Sequence, residues 1–320
     1  MADHKILIVQ FSERTFDLTR KEFAESGLTY VERLDDFAGD PAEITAALGN
    51  IGSRSFIEEA TSLEWIQAFS AGVNQYPFQT LKDRGIVLTN AARIYGPNIA
   101  DHMMALALML CRQIEPIRRD VLNDGWPKKK RLPNPGELEG QTMLVVGLGG
   151  IGDETAKRAA GLGMRVVATR RQTDRPIPDY VEAVHHPDAL HRLLPEADWV
   201  AVCVPYTDDT IDLISTEEFS LMKPGAHILC ATRGGIISTD ALMAALDSGR
   251  LAGAGLDVTD PEPLPLDHPL WQYETVIITP HQSGYSEAAN RRLEDMIRRN
   301  IRSFLKGEPL ENVVDLNLQY

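Results

Sequence analysis

Short apolar runs of strand length alternate with segments of helical periodicity along most of this 320-residue chain. That is the pattern of parallel βαβ units, whose strands are covered on both faces. Residues 6–9, all apolar, predict a strand, and 13–26 a helix closed by Gly27. A strand is expected near Tyr30, a helix over 41–48, a strand over 65–69, a tight turn at Gly72 and a short strand over 86–89. Pro97 suits the first turn of a long helix running to Cys111, because the donor it lacks would be unpaired there. Pro116 is expected to kink or end that helix. Residues 125–140, rich in proline and glycine, predict a loop. A buried strand over 142–146 then leads through a glycine turn into a helix ending near Ala160. Further strands are expected at 165–168, 199–204, 227–230, 254–258 and 276–279, and a last helix over 287–305.

The length exceeds a comfortable single core, so two domains are expected. With 43% hydrophobic and 24% charged residues the composition is that of an ordinary globular protein. A formal charge of −14 argues against nucleic acid as a partner, since phosphates demand basic surface. The run Lys128, Lys129, Lys130, Arg131 is read as a solvated loop. A net negative surface repels anionic substrates at long range, so local positive charge must capture them. The longest apolar stretch, 103–111, is far below the ~20 residues of a membrane span, and no membrane partner is expected. Cys111, Cys203 and Cys230 show no metal or redox spacing, which suggests reduced, buried thiols in a cytoplasmic protein. The apolar run at 6–9 is too short for a signal peptide. No metal is expected either, because His185, His186 and His191 lack a convincing carboxylate partner or ligand spacing.

Five short motifs carry chemistry. Gly147, Leu148, Gly149, Gly150, Ile151 and Gly152 follow an apolar strand and open a helix, the context of a pyrophosphate-binding loop. Gly147 permits the tight turn, Gly149 lets backbone approach the pyrophosphate, Gly152 allows close helix packing, and helix N-terminal amides face the negative charge. Arg233 follows a buried strand, at the carboxyl edge where open α/β sheets bind ligands. Glu262 sits between Pro261 and Pro263 on a stiff, extended backbone, and His281 leaves another strand edge after Thr279 and Pro280. A carboxylate bonded to an imidazole favours the protonated ring and keeps a proton ready near neutral pH. A dinucleotide site followed by a guanidinium, a carboxylate and an imidazole is what hydride transfer to a 2-oxo acid needs. Finally, the small residues Ala71, Gly72 and Val73 beside Ser70 leave amides open to an acid group. His102, after Asp101 on the Pro97 helix, is read as packed or capping.

In this order the motifs resemble those of the D-isomer-specific 2-hydroxyacid dehydrogenases, from Ala71 through the final helix. The resemblance implies an α/β fold of two doubly wound domains, with a Rossmann cofactor domain (99–282) inserted into a flavodoxin-like substrate domain (1–98 and 283–320). It implies that Arg233 reaches the substrate carboxylate and carbonyl, that Glu262 and His281 act as the acid/base pair, and that amides around Gly72 bind the substrate acid group. Cofactor contacts are implied for Val204, Pro205, Thr210, Ala231, Thr232, Asp257, Ser283 and Gly284 beside the glycine loop. It also implies a homodimer formed mainly by the cofactor domains. Cys230 departs from the Asn of many members, with loop packing as the expected consequence. Specificity is expected from flanking side chains such as Arg54, Phe56, Tyr95, Trp271 and Tyr285.

At the end of the second cofactor-domain strand, Arg170 occupies the place of the acid that binds the ribose in NAD-selective folds, with Arg171 next to it. Two guanidiniums pair with a 2′-phosphate, Thr169 or Thr173 could add a hydrogen bond, and NADP(H) is therefore expected over NAD(H). If Asp174 instead reached the ribose, NAD(H) would serve. The resulting expectation is a 2-oxoacid reductase or D-2-hydroxyacid dehydrogenase. An NAD-linked hydroxypyruvate or glyoxylate reductase and a non-catalytic dinucleotide-sensing regulator are the alternatives, the latter expected to carry interaction extensions. Formate dehydrogenase, also similar, carries Gln where this chain has Glu262.

Overall fold

Residues 4–9, 16–126 and 135–320 are described by a computed structural model. The basic run at 128–131 and the first part of the helix expected over 13–26 lie outside them. The chain forms two compact units, Met1–Tyr95 with Tyr285–Tyr320, and Gly96–Gly284.

In the first unit, β1 (Ile6–Val9), β2 (Leu28–Val31), β3 (Ala46–Leu48), β4 (Trp65–Gln67) and β5 (Val87–Thr89) form one parallel sheet in the order β2-β1-β3-β4-β5. This is the flavodoxin-like doubly wound order. Alternation along β1 divides the core: Leu7 and Val9 pack with Phe56, Ile57 and Leu81 on one face. Ile6 and Ile8 pack on the other with Leu293, Met296, Ile297 and Ile301 of the closing helix, Glu287–Lys306. Ser286 caps that helix by accepting from the Ala289 amide. The helix α1 spans only Asp17–Glu22, and α2 (Arg54–Glu59) and α3 (Phe78–Arg84) were not anticipated. The helix expected over 41–48 is absent: Pro41–Glu43 is a single 3-10 turn and β3 follows. Ala46, Ala47 and Leu48 are fully buried between β1 and β4, and this central position overrides alanine's helix preference.

The second unit opens with α4 (Gly96–Cys111), which carries Pro97 in its first turn. The chain breaks at Gln113, left-handed with φ 54°, before α5 (Ile114–Asp124). Pro116 therefore lies in the first turn of a new helix, where proline is tolerated, rather than kinking the old one. The strands are β6 (Thr142–Val146), β7 (Arg165–Thr169), β8 (Ala183–His185), β9 (Trp199–Val202), β10 (Ala226–Cys230), β11 (Leu251–Leu256) and β12 (Val276–Ile278). All are parallel in the order β12-β11-β10-β9-β6-β7-β8, a Rossmann arrangement whose direction of winding switches between β6 and β9. The helix α6 (Gly150–Gly161) follows β6. The short α7 (Leu190–Leu193), α8 (Thr216–Leu221) and α9 (Thr239–Asp247) complete the unit. Among the described residues no helix is long and apolar enough to cross a membrane.

Candidate active site

The glycine loop leaves β6 at the switch point. Gly147 has φ +99°, and a Cβ there would meet Val204 Cγ1 at 2.8 Å. At Gly152 a Cβ would lie 2.0 Å from the Gly147 carbonyl oxygen, so helix and turn can approach only without a side chain. Gly149 faces open space. The first helical hydrogen bond is Asp153 N–H to Gly149 O, so the amides of Gly150, Ile151 and Gly152 point out of the helix end without helical acceptors. Those donors and the positive end of the helix dipole fit a pyrophosphate.

Around the loop, several residues implied as cofactor contacts make bonds within the protein. Thr169 is buried, and its hydroxyl accepts from Gly147 N–H at 3.1 Å. Thr210 is buried, its hydroxyl donating to the Pro205 carbonyl at 2.7 Å. Ala231 and Thr232 are also buried. Arg170 donates to the carbonyls of Arg175 (2.6 Å) and Pro176 (3.4 Å), while its buried Nε has no partner. Arg171 lies 3.3 Å from Asp209.

Arg233, Glu262 and His281 occupy the loops after β10, β11 and β12, three neighbouring strands whose carboxyl ends lie side by side. The Arg233 guanidinium donates to the Thr232 carbonyl at 2.8 Å. Burial holds it below its ordinary value, and the Glu262 charge opposes that. The Cys230 thiol, which burial pushes up, packs 3.6 Å from the Arg233 carbonyl. It thus touches the loop that carries the guanidinium. His281 Nδ1 lies 2.6 Å from Glu262 Oε1. A carboxylate only accepts, so Nδ1 donates and Nε2 is left facing outward for chemistry. Both side chains are about two-fifths exposed, at 41% and 42%. Such a pair adds little stability, and its use is to fix the ring.

Asp257, implied as a cofactor contact, is bonded within the protein. Its carboxylate is wholly buried and already bonded: Oδ1 accepts from the Thr279 hydroxyl (2.5 Å) and the Gln282 amide (2.9 Å), Oδ2 from the Ser283 amide (2.9 Å). It organises the turn after β12 through both of its oxygens. Ser283 is likewise buried, its carbonyl accepting from Asn98. His102 from α4 reaches Thr279 Oγ1 at 2.8 Å. Sequence reading missed this cluster, although a buried acid just past one strand and a threonine at the end of the next were visible signals.

In the first unit, Ser70 Oγ donates to the Gly72 carbonyl, Ser70 N–H to Asn50, and Asn90 to the Ala71 carbonyl. The turn is thereby fixed through its carbonyls. The amides of Ala71, Gly72 and Val73 meet no acceptor among the described residues. Of the suggested specificity residues, Phe56 is buried in the core and is excluded. Arg54 pairs with Glu58, Tyr95 bonds the Phe69 carbonyl, and Trp271 bonds the Pro265 carbonyl. Tyr285 is exposed. His191 does have carboxylate neighbours, with Glu218 at 2.7 Å and Glu217 at 3.8 Å, and His186 lies 3.0 Å from Asp188. The His191 cluster is a surface group anchored by the α8 capping box. All three cysteines are buried and free, and burial pushes Cys203 up to about 12.

Of the two parallel α/β units, the second bears a glycine loop of the dinucleotide-binding kind and carries Arg233, Glu262 and His281 at neighbouring strand ends. A family model described as D-isomer specific 2-hydroxyacid dehydrogenase, NAD binding domain, matches residues 104–283. The chain is 32% identical over 267 residues to a glyoxylate reductase of Thermococcus litoralis, covering 82% of this chain and 80% of that one. It is 32% identical over 291 residues to a D-3-phosphoglycerate dehydrogenase of Methanocaldococcus jannaschii, covering 91% of this chain but only about half, 55%, of that relative's length. The crystal structure of a D-isomer specific 2-hydroxyacid dehydrogenase from Xanthobacter autotrophicus Py2, in complex with NADPH and MES, has a TM-score of 0.84 at 26% identity over 99% of this chain and 100% of that one. The chain belongs to the D-isomer specific 2-hydroxyacid dehydrogenase family.

Proposed function

We propose that this protein reduces a small 2-oxo acid to the D-2-hydroxy acid with NADPH, and that Arg233, Glu262 and His281 carry the reaction. The 2.6 Å bond from His281 Nδ1 to Glu262 carries the reading, because it dedicates Nε2 to proton transfer. When bound, the nicotinamide cofactor supplies the hydride that reaches the carbonyl carbon. Gly150, Ile151 and Gly152 would hold its pyrophosphate, beside the open face of Gly149. The half-buried Arg233 guanidinium holds the substrate carboxylate and polarises the carbonyl, and His281 Nε2 delivers the proton to the carbonyl oxygen. The amides of Ala71, Gly72 and Val73, which meet no acceptor among the described residues, are proposed as an anion cradle of the first unit.

Preference for NADPH rests on Arg170 and Arg171 where an acid would select NADH. A cytoplasmic homodimer belongs to the same reading. It is supported by Ile114, Ile117, Val121 and Leu122, which α5 leaves exposed in the cofactor unit. The direct test is loss of the reduced-nicotinamide absorbance with NADPH or NADH and a panel of 2-oxo acids, including glyoxylate and hydroxypyruvate. Saturable oxidation of NADPH by at least one supports the proposal. Cofactor binding without turnover on any of them would leave a dinucleotide-sensing role instead.

A further inference from the structure

His281 has φ +54°, a left-handed backbone that a non-glycine residue keeps only where its surroundings impose it. The imposing groups belong to Asp257. Its carbonyl accepts from the His281 amide at 2.8 Å, and its carboxylate gathers the next two amides, Gln282 and Ser283. A carboxylate this deeply buried needs hydrogen-bond donors around it, and the third donor is the Thr279 hydroxyl at 2.5 Å. That hydroxyl has one hydrogen. With it committed to Asp257, the 2.8 Å contact between Thr279 Oγ1 and His102 Nε2 requires the imidazole to donate. The opposite assignment would set two lone pairs against each other between Thr279 and Asp257.

We propose that His102 is a positioning residue for the reaction, holding the His281 turn from α4 through Thr279 and Asp257. The inference rests on the acid/base role proposed above for His281. The donor chain runs His102 Nε2–H to Thr279 Oγ1–H to Asp257 Oδ1, and Asp257 in turn holds the amides on which the His281 ring direction depends. His102 Nε2 is also 3.6 Å from Asp257 Oδ1, so the ring lies beside the buried carboxylate as well as the hydroxyl. No contact with substrate is invoked; the effect is on where His281 Nε2 sits, and small misplacements of a reacting group are costly.

Steady-state kinetics and NADPH titration on His102→Leu, His102→Gln, His102→Asn and Thr279→Val, with the best 2-oxo acid, test this. His102→Leu lowers kcat by about tenfold, the effect of one lost hydrogen bond to a charged network, while NADPH affinity is unchanged. Glutamine can place an amide N–H where Nε2 stood, so His102→Gln recovers most of the loss, and the shorter His102→Asn does not. The Leu and Val changes together cost no more than the larger single loss, because they cut one chain. Wild-type kcat in His102→Leu, equal impairment of the Gln and Asn variants, or additive losses would overturn the inference. If His102→Leu does not fold, the Gln and Asn pair decides alone. His281→Gln separates the two proposals: activity there overturns the acid/base role itself, whereas an inactive His281→Gln with an unimpaired His102→Leu overturns only the role of His102.

Discussion

Glu262 Oε1 accepts from His281 Nδ1 at 2.6 Å although the two residues stand in loops after different strands. The pair exists because β11 and β12 are neighbours in the sheet, so two loops distant in sequence share one edge. Replacing the carboxylate with an amide keeps the shape but exchanges a charged acceptor for a neutral one. Glu262→Gln therefore lowers kcat by about tenfold or more, the effect of a weakened charge-assisted hydrogen bond that fixes the ring, while NADPH affinity is unchanged. Steady-state kinetics beside a cofactor titration check this, and a wild-type kcat would mean that the carboxylate does not hold the ring.

Arg233→Lys is expected to be nearly as damaging as Arg233→Ala, each lowering kcat/KM by at least about 10²-fold. The guanidinium spends one donor on the Thr232 carbonyl, which leaves the remaining donors of its planar fork for a carboxylate. An ammonium keeps the charge but not two parallel bonds. Kinetics on both variants decide between a fork and a point charge.

Arg170→Asp should reverse cofactor choice, lowering kcat/KM for NADPH by about 10- to 100-fold while sparing NADH, as expected for loss of a charge-assisted bond and gain of repulsion. The measurement compares both cofactors with one substrate. A variant that keeps the wild-type preference would assign Arg170 only to the loop carbonyls of Arg175 and Pro176 that it now bonds.

His227 stacks on Trp199 with ring centroids 4.2 Å apart, and burial lowers it to about 4. In the unfolded chain it takes a proton near pH ~6.5, so the folded state resists a proton that the unfolded state accepts. Its contribution to stability is complete above that pH and is lost as pH falls toward 4. His227→Phe keeps a flat ring without the proton. Between about pH 7 and about pH 5 the wild type should lose several degrees more of Tm than the variant. Equal losses in a thermal scan would contradict this.

The alternation of strands and helices in the cofactor unit was legible because strands covered on both faces read as unbroken apolar runs, as in β6, β9 and β10. Arg233, Glu262 and His281 were legible because each stands in a short local motif. The strand β3 was not: three residues, two of them alanine, carry no periodicity, and only their place between β1 and β4 makes them a strand. His102 is 177 positions from Thr279, and Asp257 is 25 from the Gln282 amide that it holds. Those roles arise from packing at the sheet edge and have no local signature. Thr169 faces inward to Gly147 for a similar reason, a direction that strand register sets and composition does not.

The most direct measurement is kcat for His281→Gln beside its NADPH dissociation constant. Loss of the proton donor lowers kcat by about 10²- to 10⁴-fold and leaves NADPH affinity at the wild-type value, because the glycine loop and α6 are untouched. A variant that turns over within about tenfold of wild type would contradict the assignment of His281 as the group that protonates the substrate.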